Sequence, residues 1–121
     1  MKTDTSDVEF AGADAGLGVN RIFELLLEPD RRYALYHLSR KVGAVSLEEI
    51  AEQIALRTGE PTRERIAAVT TGLHHNHVPK LVGAGVVRYD RTTDTVERLP
   101  AATALDPYLE LAVVDDAQAV A

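Results

Sequence analysis

The residues able to do chemistry in this chain concentrate between Thr71 and Lys80. The run Thr71-Gly72-Leu73-His74-His75-Asn76-His77-Val78-Pro79-Lys80 holds three of the four histidines. His74 and His77, at i and i+3, could share a helix face and offer imidazole nitrogens to zinc or nickel. No cysteine occurs in the chain, and no acidic residue lies within one turn of the cluster. His77 also falls on the stripe of Leu73 and Leu81, where a partly buried, hydrogen-bonded histidine is the simpler expectation. No metal site is therefore expected. Thr71 and His75 point away from that stripe, and Asn76 lies at its border. Asparagine pairs bidentately with adenine, and threonine can hydrogen-bond a base or touch a thymine methyl. Such side chains suit a helix reading base edges in a major groove. Arg63 and Arg65 stand one or two turns earlier and Lys80 later, all suited to phosphates. Arg88 and Arg91 lie beyond, suited to phosphate or minor-groove contact. The competing expectation for each residue is a solvated surface side chain.

Catalysis is not expected, and neither is a cofactor. There is no glycine-rich phosphate loop and no serine at motif spacing from a base. Asp115 and Asp116 are adjacent and diverge on a helix, a poor arrangement for paired-carboxylate chemistry. The absence of cysteine excludes disulfide scaffolds, iron–sulfur clusters and thiol nucleophiles.

A helix that presents these residues needs elements to hold it. Hydrophobic spacing predicts a first helix from about Gly18 to Leu27, burying Ile22, Phe23, Leu26 and part of Leu25, with Pro29 stopping it. Asp30 is the expected cap of a second helix, with Leu35, Leu38 and Val42 on one face and Gly43 at its end. Tyr33 and Tyr36 flank that helix and are expected to pack rather than stack on bases. Ser46 and Glu49 form a capping-box pattern before a third helix striped by Leu47, Ile50, Ala51, Ile54 and Ala55. Thr62 is the expected cap of a fourth helix running to about Gly83, bent by Pro79. Residues 86–90 and 95–99 alternate as a two-stranded hairpin closed by Pro100. Asp106-Pro107 begins a last short helix. Its Leu109, Leu111, Val113 and Val114 call for a partner surface.

The length of 121 residues suits one domain. No apolar run approaches a membrane span, and the start MKTDTSDVEF lacks a signal core, so a cytoplasmic protein is expected. The net charge of −6 argues against nucleic acid when taken alone. Its distribution is uneven. Residues 1–16 carry net −3, residues 17–30 net −2, residues 31–98 net +3 and residues 99–121 net −4. A mildly basic middle lies between acidic ends. Three lysines against ten arginines, in an acidic chain, resemble proteins of a high-salt cytoplasm.

Three helices followed by a hairpin is the order of a winged helix-turn-helix. Leu26-Leu27-Glu28-Pro29-Asp30-Arg31-Arg32, followed by Leu35 and Leu38, resembles the start of the first helix in ArsR-like winged-helix repressors. Ser46-Leu47-Glu48-Glu49-Ile50-Ala51 resembles the start of their second. His77-Val78-Pro79-Lys80-Leu81 through Ala84-Gly85-Val86-Val87 resembles the end of their recognition helix and the first wing strand. The whole order, over residues 20–99, also resembles DUF7344, a haloarchaeal family of small winged-helix proteins of unknown function. One departure stands out. Arg57 to Thr71 intervene where ArsR-like proteins have a tight turn. The recognition helix is either extended at its N-terminus or preceded by a separate turn.

The expected fold is mainly α with a small β-hairpin, a winged helix-turn-helix with extra N- and C-terminal helices. The expected organisation is a disordered acidic segment 1–16, the winged domain 17–100, and a C-terminal helix and tail 101–121. By resemblance, the expected function is double-stranded DNA binding and transcription regulation as a homodimer, through Arg63, Arg65, Thr71, His75, Asn76, Lys80, Arg88 and Arg91. The alternative is a protein–protein interaction module on the same fold.

Overall fold

The computed structural model of the chain describes residues 17–120; the acidic segment 1–16, expected to be disordered, lies outside the described residues. Helix α1 (Val19–Leu26) buries Ile22, Leu25 and Leu26, one face at helical spacing. Phe23 is not in that core. It is 55% exposed and sets its ring edge against Tyr108, with centroids 5.7 Å apart. Helix α2 (Pro29–Ser39) starts with Pro29 in its first turn, where a fixed φ and a missing N–H cost nothing. Asp30 therefore sits inside the first turn rather than capping it, and its charge suits the helix dipole there. Buried Arg31, Tyr33, Ala34, Leu35, Tyr36 and Leu38 make α2 the central helix. Val42 lies past its end and is fully exposed, so the expected stripe stops at Leu38.

Gly43, at φ +82°, turns the chain into a two-residue strand, β1 (Val45–Ser46). Helix α3 (Leu47–Arg57) follows with its expected stripe buried. The Ser46 hydroxyl accepts the Glu49 N–H at 3.0 Å. The return half of the capping box does not form. The Glu49 carboxylate instead takes a hydrogen bond from His37 Nε2 at 2.6 Å and pairs with Lys41 Nζ at 3.1 Å. Those two donors hold its pKa below the usual carboxylate range, His37 having the larger effect.

The long helical rod begins where Thr62 caps it, its hydroxyl accepting the Arg65 N–H at 3.1 Å. It comprises α4 (Arg63–Gly72), a π-helical turn over Leu73–His77, and α5 (Val78–Gly83). The helix is thus extended at its N-terminus. The π turn has a physical cause in Pro79. Proline lacks an N–H and its ring crowds the carbonyl four residues back. Widening the turn ahead of it relieves the clash, and the Val78 N–H bonds five residues back to the Leu73 carbonyl. The extra residue places both His77 and Val78 in the core. A Schellman motif ends the rod. Gly85, at φ +78°, bonds to the Val82 carbonyl and Val86 to that of Leu81.

Strands β2 (Val87–Asp90) and β3 (Thr95–Arg98) form the antiparallel wing, with Val87 opposite Arg98 and Asp90 opposite Thr95. The wing is three-stranded rather than two-stranded, because β1 pairs with β3 through Val45 opposite Val96. A 3-10 turn (Pro100–Leu105) leads to α6 (Asp106–Val120), longer than the short helix expected. Helix α6 packs back on α2. Leu109 is buried there, while Leu111 and Val114 stay exposed. The architecture is a winged helix-turn-helix with additional helices at both ends.

Candidate nucleic-acid interface

Arg63, Ala67, Thr71 and His75 follow one another at four-residue steps along the rod, and all are exposed. Asn76 and, past the π turn, Lys80 are exposed as well. The Thr71 hydroxyl donates to the Ala67 carbonyl at 3.1 Å, which leaves its oxygen free to accept. Five of the eight expected residues (Arg63, Thr71, His75, Asn76 and Lys80) therefore lie on the solvent side of one helical rod. Arg65 does not join them. It is partly buried and lies 3.9 Å from Asp30 of α2. Arg88 extends across the wing to Glu97, its directly opposed neighbour on β3. Arg91 is exposed in the hairpin turn.

The family model of DUF7344, a domain of unknown function, matches residues 23–97. The chain belongs to the DUF7344 family. No curated protein and no solved structure matches it. The DUF7344 match runs from the middle of α1 into β3, one residue short of its end. It takes in α2, α3, the rod and the wing, and it ends before α6.

Within the matched span, the rod is anchored by a group that sequence reasoning missed. The Arg31 guanidinium is buried, with 3% of the residue exposed. It donates Nε–H to the Leu25 carbonyl at 2.7 Å and Nη2–H to the Glu24 carbonyl at 3.0 Å, capping the end of α1. Its Nη1–H points at His77 Nδ1, 3.2 Å away. Arginine can only donate, so Nδ1 accepts and the ring proton sits on Nε2. Burial, and secondarily the Arg31 charge, push the His77 pKa down. The π turn is thus fastened to the end of α1 through a neutral imidazole.

The three histidines of the rod go three ways. His77 turns inward to Arg31, His74 donates Nε2–H to Asp94 at 3.0 Å, and His75 faces solvent. Among the described residues, no three His, Cys, Asp or Glu side chains gather as a metal site would need. No described helix is long and apolar enough to cross a membrane.

A second network joins α2 to α6. Asp116, 6% exposed, receives Arg32 Nε–H and Nη2–H at 2.9 Å each and the Tyr36 hydroxyl at 2.6 Å. The arginine donors hold the Asp116 pKa below its ordinary range. Burial raises that of Tyr36, and its bond to Asp116 raises it further. Arg57, at the end of α3, lays its guanidinium 5.6 Å and 5.2 Å from the ring centres of Tyr33 and Tyr36. Both tyrosines are structural. The Arg31-Arg32 doublet was the one sequence signal for the two networks, since adjacent residues on a helix must face different neighbours.

Proposed function

We propose that this protein is a non-enzymatic DNA-binding regulator of transcription, acting in the cytoplasm with its rod in the major groove and its wing beside it. The observation that carries this reading is the exposed side of the rod, on which Arg63, Thr71, His75, Asn76 and Lys80 lie. Its centre bears groups able to read base edges, and both ends bear cations for phosphates. Occupancy of a promoter would block or recruit polymerase. The test is binding to genomic duplex fragments across a salt series. Saturable binding that weakens with salt is expected. The double variant His75→Ala, Asn76→Ala should lose about tenfold or more for the preferred sequence. Lys80→Ala should weaken every sequence alike. A folded wild type with no saturable binding at low salt would sink the reading. The net charge of −6 favours the rival, an interaction module that binds protein instead.

The same reading includes a homodimer. Residues 31–98 carry only +3, a thin footprint that two protomers would double. A groove of about 530 Å³ runs between α1 and α6, over Phe23, Leu27, Tyr108 and Leu111. Phe23 is 55% exposed, Leu27 71%, Leu111 77% and Val114 57%. Together they present on the order of 400 Å² of apolar surface, within the range of the largest patch on a monomer and about half of one partner's share in a standard interface. A second copy of the chain, packing helix pair on helix pair, would cover it. Sedimentation should show a dimer for the wild type and a folded monomer for Leu27→Asp, Leu111→Asp. A wild type that stays monomeric at tens of micromolar refutes this part. The acidic, lysine-poor composition suits a haloarchaeal, high-salt cytoplasm. Screening there shortens the reach of charge to a few ångströms, so direct contacts would decide affinity.

A further inference from the structure

The turn between β2 and β3 is built on Asp94. It is the only non-glycine residue with positive φ among the described residues, at +54°. Asparagine and aspartate tolerate that conformation better than other side chains. Its backbone requirement therefore explains a short polar residue, but not a charge. The charge has two partners. Asp94 Oδ1 accepts the Tyr89 hydroxyl from β2 and His74 Nε2–H, at 3.0 Å, from the rod. Its main-chain carbonyl accepts the N–H of Leu47, the first residue of α3, at 3.0 Å. The His74 and Tyr89 rings meet edge to face, with centroids 6.3 Å apart. One residue thus ties the wing, the rod and the start of α3 together. The hairpin does not need the His74 contact to close, because β2 and β3 are already paired along four positions.

We propose that Asp94, through His74, sets the position of the wing against the recognition rod, so that both meet a partner as one rigid unit. His74 is then a positioning residue, distinct from its neighbours His75 and Asn76, which face outward. This inference rests on the DNA reading. The Asp94 carboxyl is held below its usual pKa range, first by the Tyr89 hydroxyl and then by His74, so the carboxylate is ionised at neutral pH. An acid beside a DNA-reading face would by itself repel phosphates. A positioning role makes the opposite prediction, and the sign separates the two.

The experiment is a double-mutant cycle read by duplex affinity and by ring contacts in NMR spectra of the full chain. Asp94→Gly keeps the positive φ without strain and removes the carboxylate. The His74–Asp94 pair is solvent-exposed, so the variant is expected to weaken duplex binding by roughly threefold to fivefold, the upper end for such a pair, although a negative charge has been removed. His74→Ala should cause a similar loss, and the double variant should lose little more than either alone. Asp90→Asn is the control on the same wing. It can still accept the Thr92 N–H, as Asp90 does at 2.9 Å, and should bind as well as the wild type or better. The His74–Tyr89 ring contact should be present in the wild type and lost in Asp94→Gly. Unchanged or tighter binding by Asp94→Gly overturns the proposal, and so do additive losses. Survival of the ring contact in Asp94→Gly overturns it whatever the affinities. Absence of wild-type duplex binding removes the DNA reading and this inference together, a result distinct from the other three.

Discussion

Asp116→Ala is expected to destabilise the fold by about 3 kcal/mol, because it strands two donors at the α2–α6 contact. The wild-type carboxylate takes two hydrogen bonds from Arg32 and one from Tyr36. Breaking one side of a buried pair costs more than the pair itself contributes, since the remaining charge has lost its partner. The figure is held to the lower end of the usual range for a physical reason. Arg32 keeps its bond from Nη1 to the Leu26 carbonyl at 2.6 Å, and its side chain is 18% exposed. Thermal unfolding should fall by about 10 °C in a chain of this size. Asp116→Asn retains an acceptor for Tyr36 and should lose about half as much. The pH dependence has a definite sign. The Asp116 pKa is depressed in the folded state, so the unfolded chain binds this proton more readily. The stability it contributes is full above the ordinary value of 3.8 and is lost as pH falls below it through the lower folded value. The gap between wild type and Asp116→Asn should therefore close on acidification. A change below about 0.5 kcal/mol for Asp116→Ala, the range of ordinary surface substitutions, would show that α6 is not fastened by this residue. The result bears on the extent of the folded unit, since α6 lies beyond the stretch matched by the family.

Some of this architecture was legible in the sequence, and the divide follows the range of the forces. Helix α3 was plain because its stripe and its Ser46 cap are both local. The rod was plain to Gly83 for the same reason, and its exposed face followed from the four-residue step. The exchange of Phe23 for Leu25 in the core was not legible. Both lie on the apolar side of α1, and which one is buried depends on where α2 and α6 sit. Strand β1 is two residues long, too short for any alternation, and it exists because β3 offers a free edge. Pro79 announced a disturbance in the rod, but whether the helix kinks or widens depends on what the core accepts on either side. The residues of the proposed DNA-binding face could be placed, whereas their partners could not. Arg88 finds Glu97 across a strand pair, and Arg31 finds His77 across 46 positions of sequence. Paired cations are lost to a phosphate-contact count, and only the folded chain reveals which ones they are.

Arg31→Ala is expected to cost the most of any single change at the rod, about 4 kcal/mol. Arg31 is a buried cation whose partners among the described residues are neutral: two backbone carbonyls and an imidazole. Truncation leaves the Glu24 and Leu25 carbonyls without these donors inside the protein, and it opens a cavity between α1 and the π turn. Arg31→Lys should recover only part of the loss, since an ammonium on a thin stem cannot span three separated acceptors. His77 turns the same contact into an acid-sensitive one. Its Nδ1 must stay unprotonated to accept from Arg31, and its pKa is depressed by burial and by that guanidinium. As pH falls below the ordinary histidine value of 6.5, the unfolded chain takes a proton that the folded chain refuses. Stability should be full above that pH and should decline below it, until the lower folded pKa is passed. His77→Gln supplies an amide oxygen that can accept from Arg31 and does not titrate. It should stay within about 1 kcal/mol of wild type at pH 7.5 and lose less on going to pH 5.5. Chemical denaturation at the two pH values measures both quantities. Parallel losses in the two proteins would assign the acid sensitivity to another group. A smaller loss in His77→Gln would place it at the π turn, two residues from His75 and one from Asn76. Mild acid would then loosen the face proposed to read DNA before it unfolds the domain.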